Sequence, residues 1–225
     1  MEVMRSLVDS FSLREINYAK TRLNILQVVM ERISVKDFNE ITVDEICRFA
    51  EISRGTFFNH FATKSHIFKY YIKLWGVHLR LEMEEKSFIN KTAKEKIKFV
   101  YHKIVEENEK YPSLFSSYLK EAIEFDNEIK LTGAEIAYQF PNISHAPSRV
   151  EELNEFSLGK VLETLLKEGI EKKEFSKDIN LEYTLLLLIS MIFSTAIADK
   201  YMPKHNDLHD YYEYSLNHIF ERMKV

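Results

Sequence analysis

The chain has 225 residues, 45% of them hydrophobic and 29% charged, with a net charge of −4. That is enough chain for a sizeable core, and the balance excludes a disordered polymer. Five Gly and four Pro supply few turns, so many short strands are disfavoured, and the single Cys47 excludes an internal disulfide framework and agrees with a reducing cytosol.

The charge is uneven. Residues 1–75 carry 11 Lys and Arg against 9 Asp and Glu, whereas residues 76–225 carry 20 against 26, so a polyanionic partner would meet the N-terminal part. The start "MEVMRSLVDS" has no basic segment followed by an apolar run, so no signal peptide is expected and the cytoplasm is the expected location. The most apolar stretch, Leu185 to Ala198, has 14 residues. It is too short to cross a bilayer and reads as a buried helix.

In chain order, Ser12 and Glu15 have the spacing of a capping box. Ile16, Ala19, Leu23, Leu26, Met30 and Ile33 then recur at steps of three and four, predicting an amphipathic helix with that stripe buried. Thr42 and Glu45 open a short helix, "VDEICRFA", with Val43, Ile46, Cys47 and Ala50 on one side. Ser53 suits the N-cap of a third, "RGTFFNHF". A longer helix is expected from Ser65 to Glu85, with Ile67, Tyr71, Leu74, His78 and Leu81 facing inward.

Thr92 with Glu95, and Ser148 with Glu151, predict capping boxes heading helices over 93–110 and 149–172. Pro112 suits the first turn of another helix. Gly133 to Pro147 reads as the least regular stretch, with a loop, and 181–200 and 208–223 form two final helices separated by Pro203. No stretch alternates with period two for long enough to argue a sheet, so the fold class is all-α.

Two short helices joined by a three-residue turn and preceded by a longer helix make a helix-turn-helix. Ile46, Ala50, Ile52 and Phe57 would form its core, with the small Cys47 where the helices approach. The second helix of such a motif enters the DNA major groove by its N-terminal residues, here Arg54, Gly55, Thr56 and Asn59. Arg can bond guanine twice, Asn can do the same with adenine, and a Thr methyl can meet that of thymine. Gly55 would let the backbone come close, Thr42 offers a hydroxyl and free amides to a phosphate, and His60 and Lys64 are spaced to reach the DNA backbone.

The stretch "ITVDEICRFAEISRGTFFNHFATKSHIF" closely resembles the DNA-binding signature of the TetR/AcrR family of bacterial transcriptional regulators, from about Arg22 to Tyr71. "KEGIEKKEFSKDINLEYT" is similar to the turn between the seventh and eighth helices of many members. The resemblance implies a DNA-binding domain at 1–64 and a helical effector-binding and dimerisation domain at 65–225. It implies a homodimeric repressor on a palindromic double-stranded operator, released when a small molecule changes the spacing of the two reader helices. It also implies that Thr42, Thr56, Phe58, His60 and Lys64 occupy DNA-contacting positions. Two residues depart from the pattern: Phe58 stands where tyrosine is common, and Glu51 where many members have glycine.

In the C-terminal part, Tyr101, His102, Phe115, Tyr118 and Phe156 are candidate ligand contacts for a hydrophobic or aromatic effector. Leu185, Leu188, Ile192, Tyr211, Leu216 and Phe220 are expected at an isologous dimer seam between the last two helices. His205 and His209 are four apart but show no third ligand, so no metal and no cofactor is expected. No phosphate-cradling glycine loop, HExxH, GxSxG or Cys/His pair is present, so no enzyme is expected. The alternative is a helix-turn-helix protein that works through protein contacts.

Overall fold

A computed structural model of the chain describes residues 10–111, 129–201 and 207–224, with side chains described for all but 195–201. Among these residues there are eleven α-helices, two 3-10 turns and no strand. The all-α expectation is met. The calls on Pro112, Phe115, Tyr118, Pro203 and His205 lie outside the described residues.

By internal packing the chain divides into two compact units, Met1–Val77 with Lys120–Glu155, and His78–Leu119 with Phe156–Val225. The division falls inside a helix, at residue 77. Part of the C-terminal half thus packs with the N-terminal helices, which a linear reading could not anticipate.

The first unit contains α1 (Leu13–Ile33), a 3-10 turn (Phe38–Glu40), α2 (Val43–Phe49), α3 (Arg54–His60), the first part of α4 (His66–Glu82), α7 (Gly133–Gln139), a second 3-10 turn (Pro147–Arg149) and α8 (Val150–Asn154). Ser12 and Glu15 make both halves of the capping box that starts α1. The buried arc of α1 differs from the expected stripe. It holds Ala19, Arg22, Ile25, Leu26, Val28 and Val29, while Ile16, Leu23, Met30 and Ile33 are only half-buried. The helix is packed by α2 and α3 and also by α7, so the arc is wide. Its centre is the charged Arg22, which a hydrophobic count skips.

Phe57, Phe61, Phe68, Tyr70, Ile25 and Ile46 fill the core of this unit, each at most 1% exposed. On α4, Tyr70 is buried where Tyr71 was expected, and His78 is exposed. The 133–147 segment is more regular than expected. Thr132 and Glu135 form a complete capping box that the reading overlooked, and α7 follows it.

Ser148 heads no box: its hydroxyl bonds the His145 carbonyl. The expected 149–172 helix is broken after α8. Asn154 ties that end down by bonding the backbone of Leu131 in both directions, at 2.9 and 2.8 Å.

The second unit contains the end of α4, α5 (Lys86–Ile89), α6 (Ala93–Lys110), α9 (Leu158–Glu171), α10 (Leu181–Tyr201) and α11 (Leu208–Arg222). The Thr92–Glu95 box at the start of α6 is complete. α6 packs against α9, α10 and α11, burying Ile97, Val100, Ile104, Leu162, Leu166, Leu188 and Leu216. α9 ends in a left-handed Lys173, φ 59°, whose N–H bonds Ile170, while that of Glu174 bonds Gly169. Phe175 then folds over Gly169, where a Cβ would stand 2.2 Å from its ring.

Candidate nucleic-acid interface

The turn between α2 and α3 is built by a few local bonds. The Thr42 hydroxyl accepts the Glu45 N–H at 3.1 Å and starts α2. Glu45 does not reach back to complete the box. Its carboxylate bonds Arg32 and Lys36 instead, at 2.8 and 2.5 Å, and the Lys36 bond foremost holds its pKa below the ordinary carboxylate value.

After α2, Glu51 is left-handed, φ 56°, at a cost of about 1 kcal/mol for a side chain other than glycine. The bond from the Ile52 N–H to the Cys47 carbonyl, 3.0 Å, closes the helix end in compensation. The Asn24 amide adds a bond from α1 to the Ala50 carbonyl at 3.0 Å. Ser53 then accepts the Thr56 N–H at 3.0 Å and opens α3. Burial and the nearby Asp44 carboxylate push the Cys47 thiol above its ordinary pKa, which suits a packing role.

Helical phase splits α3 into two faces. Phe57 and Phe61 are 0% and 1% exposed, while Arg54, Gly55 and Asn59 are exposed, Thr56 is half-buried and Phe58 is 46% exposed. The Phe58 ring stands edge-on against Phe57 at 5.2 Å between centroids, and the Arg54 guanidinium lies 5.9 Å from its centroid. Arg54 also meets the exposed Asp44 carboxylate at 2.5 Å. An exposed pair of this kind is worth at most about 1 kcal/mol and is readily exchanged for another acceptor. Without a hydroxyl, Phe58 offers an apolar platform beside that arginine.

Among the described residues nothing requires glycine at position 55. A Cβ there would meet only the Ser53 hydroxyl at 3.6 Å. The Thr42 side chain is exposed at the foot of α2.

His60 and Lys64 are placed differently. All three donors of the Lys64 ammonium are used, on the carbonyls of Phe38 (2.9 Å), Asn39 (3.2 Å) and Ile41 (2.9 Å), and burial lowers its pKa. In this arrangement it caps the 3-10 turn. His60 is half-buried against Tyr18, 4.6 Å between ring centroids, with Nδ1 buried and unpartnered.

Burial first, and then the Arg22 charge, push the His60 pKa below its ordinary value, while Glu135 opposes them weakly. The unfolded chain therefore binds this proton more readily than the folded one. Stability contributed by neutral His60 is present above about pH 6.5 and is lost as the pH falls from there toward the folded pKa. His60→Gln should flatten the loss of stability between about pH 7 and pH 5 in urea titrations. An unchanged slope would show that another group governs it.

The sequence reading missed what lies beneath the motif. Arg22, 4% exposed, pairs with the fully buried Glu135 of α7 at 2.9 Å. Its guanidinium lies over the rings of Tyr70 (4.1 Å), Phe61 (5.1 Å) and Tyr18 (5.6 Å). Burial and the Glu135 carboxylate push the Tyr70 hydroxyl far above its ordinary pKa. The available signal was the Thr132–Glu135 spacing, which places a carboxylate at the start of a helix.

Of the candidate effector contacts, Tyr101, His102 and Phe156 lie among the described residues. Tyr101 is 1% exposed and donates to the Leu188 carbonyl, its ring 5.1 Å from that of Tyr212. His102, the next residue, is exposed and pairs with Glu106 at 3.2 Å, and Phe156 is half-buried. Of the expected seam residues, Leu188, Ile192, Leu216 and Phe220 are buried within their own unit, and Leu185 and Tyr211 are half-buried. Among the described side chains of these two helices, the large apolar ones open to solvent are Tyr183, Leu186, Leu187 and Tyr214. No helix among the described residues is long and apolar enough to cross a membrane.

Residues 25–71 match the family model described as bacterial regulatory proteins, tetR family. A comparison with curated proteins gave no match. Among solved structures, Thermus thermophilus FadR, a TetR family transcriptional repressor in complex with lauroyl-CoA, has 23% identity and a TM-score of 0.65, over 91% of this chain and 95% of that one. A TetR family regulator of Cytophaga hutchinsonii has 18% identity and a TM-score of 0.59, over 92% and 96%. The ketosteroid regulator KstR2 of Mycobacterium tuberculosis has 16% identity and a TM-score of 0.53, over 91% and 95%. On that match, residues 25–71 belong to the tetR family of bacterial regulatory proteins, and the helices of the chain have the fold of those solved regulators.

Proposed function

We propose that the protein is a homodimeric repressor that binds a palindromic operator through α3 and is released by a small apolar or aromatic ligand. The observation that carries the DNA reading is the outward face of α3. Arg54, Gly55, Phe58 and Asn59 lie exposed, with Thr56 half-buried beside them, while Phe57 and Phe61 hold the helix from behind. Thr42 and the N-terminal end of α2 would meet a phosphate. Lys64 would support the site by bracing the 3-10 turn, and His60, neutral and packed on Tyr18, would hold the far end of α3.

Gly55→Ala separates folding from binding. Alanine is favoured over glycine in a helix by about 0.5–1 kcal/mol and meets no clash in the chain. The variant should be at least as stable as the parent yet bind DNA more weakly, because its methyl group faces the groove. Selection from random duplexes should enrich a two-fold symmetric sequence with a steep salt dependence. Arg54→Ala and Thr56→Ala should relax base discrimination within it. Failure to enrich any sequence, with no salt-sensitive binding, would favour the protein-contact reading instead.

The dimer reading rests on the exposed stripe of Tyr183, Leu186 and Leu187 on α10 and on Tyr214 of α11, which are 72, 63, 49 and 75% exposed. Their spacing puts the first three along one side of α10, and burying them against a second copy would give an isologous contact. Leu186→Lys with Tyr214→Lys should halve the mass seen by light scattering at micromolar concentration. An unchanged dimer mass would place the contact elsewhere.

The ligand reading is supported by the acyl-CoA complex and the ketosteroid regulator among the proteins of like fold. Tyr101, Phe156 and neighbouring rings are its apolar candidates. Glu107 on α6 adds a buried oxygen without a partner, in a carboxyl whose pKa burial raises, suited to a ligand hydroxyl. Native mass spectrometry of the purified protein tests whether such a compound is carried.

A further inference from the structure

Two helix ends in the second unit bring together side chains that the regulator reading does not use. Glu109 lies in the last turn of α6, Asp207 caps α11, and His209 lies in the first turn of α11. One donor atom from each falls within 4.8 Å of the others.

His209 Nε2 is 3.7 Å from Glu109 Oε2. One oxygen of Asp207 accepts the His209 N–H at 2.8 Å, which orients the carboxylate and leaves its other oxygen for a ligand. A second imidazole belongs to the same place. His102 is seven residues before Glu109, on the same side of α6, and its ring packs on that of His209 at 4.4 Å between centroids.

Nothing cationic among the described residues neutralises the Glu109–Asp207 pair. Lys103 is held by Glu82 at 3.1 Å and Glu106 at 3.4 Å, and the Lys110 ammonium lies 5.0 Å from the centroid of the Tyr111 ring. Among the described residues Glu109 pairs with His209, which is charged only when protonated. The C-terminal end of α6 adds partial negative charge at the same point. The opposing dipole of α11 is met by its own cap, Asp207.

We propose that Glu109, Asp207 and His209 bind one divalent transition-metal ion of the zinc type. An imidazole nitrogen with two carboxylate oxygens and no thiolate suits zinc, cobalt or nickel better than copper(I), and better than magnesium or calcium, which prefer oxygen alone. Ligands at about 2.1 Å from a tetrahedral zinc stand roughly 3.4 Å apart. From a span of up to 4.8 Å the three donors must therefore close by at most about 1.4 Å, and Glu109 is exposed. The fourth position is left to water. His102 stays beside the site as the ring that fixes the plane of His209. Such an ion would join the end of α6 to the start of α11. The proposal is independent of the operator and effector readings.

The test uses the full chain, stripped of metal by chelation, titrated with zinc chloride by calorimetry and with cobalt chloride by visible absorption. One ion per chain is expected, with micromolar affinity and ligand-field bands for cobalt.

His209→Ala and Glu109→Gln should each weaken zinc at least as much as loss of an outer-shell partner, about 10–100-fold. His145→Ala, an exposed histidine of the other unit, should leave binding unchanged. Both ligand positions are at least partly exposed, so melting curves near the parent's are expected for these variants. His209→Gln serves if the alanine variant unfolds.

Three results would each overturn the site. One is no saturable zinc binding tighter than millimolar. Another is unchanged affinity in folded His209→Ala, or in His209→Gln, and Glu109→Gln. The third is equal competition by millimolar magnesium, which would mark a diffuse acidic patch.

Discussion

Glu135→Ala is expected to destabilise its unit by about 3–5 kcal/mol, the usual cost of removing one partner of a buried ion pair. The substitution would leave the Arg22 guanidinium, 4% exposed, without its counter-charge among the rings of Tyr18, Phe61 and Tyr70. It would also remove the acceptor of the Thr132 N–H and hydroxyl bonds, at 2.7 and 2.9 Å, that start α7.

The double change Arg22→Met with Glu135→Leu should cost far less than the single one, because apolar residues of similar volume need no charge compensation. Urea unfolding of the two variants side by side measures this. A loss below about 1 kcal/mol for Glu135→Ala would mean that water reaches the guanidinium. Phe61 follows the last residue of α3 and His60 is that residue, so the single variant should also speed amide exchange at the end of the reader helix.

Phe57→Ala and Phe58→Ala should separate by several kcal/mol although the residues are neighbours. Phe57 is fully buried, and truncating such a ring costs about 3–5 kcal/mol through lost transfer energy and the cavity left behind. Phe58 is 46% exposed and should cost roughly 1 kcal/mol or less. Its loss should appear in DNA affinity, because it removes the apolar surface beside Arg54. Thermal melts and anisotropy titrations on one duplex would read the two effects. Equal destabilisation by both substitutions would contradict the division of α3 into a core face and an outward face.

Local signals survived folding well. The boxes at Ser12 and Thr92, the cap at Ser53 and the two last helices stand where the sequence places them. Each depends on residues three or four apart, although the same spacing at Thr42 is left half-made because Arg32 and Lys36 hold Glu45, and at Ser148 no box forms. The reading failed where a distant partner intervenes. Asn154 reaches the backbone of Leu131 and interrupts a helix that periodicity had run straight through. Sequence spacing likewise does not reveal that the Lys64 ammonium bonds three carbonyls near the 3-10 turn. On α10, apolar on nearly every side, periodicity could not separate the buried Leu188 from the exposed Leu186 and Leu187.

The amino-acid sequence by itself determined the all-helical class, the helix-turn-helix, and the family to which residues 25–71 belong. It also determined which side of α3 is core, because 3.6 residues per turn leave Phe57 and Phe61 on one side and Gly55, Phe58 and Asn59 on others. Only the tertiary structure decided that residues of the C-terminal half pack with the N-terminal helices, with a buried charge at their centre. It alone joined Glu109 to Asp207 and His209 across about a hundred residues. The physical reason is the range of each interaction. Capping and helical phase act within one or two turns of a helix, whereas ion pairing and core packing depend on neighbours that the chain order does not reveal.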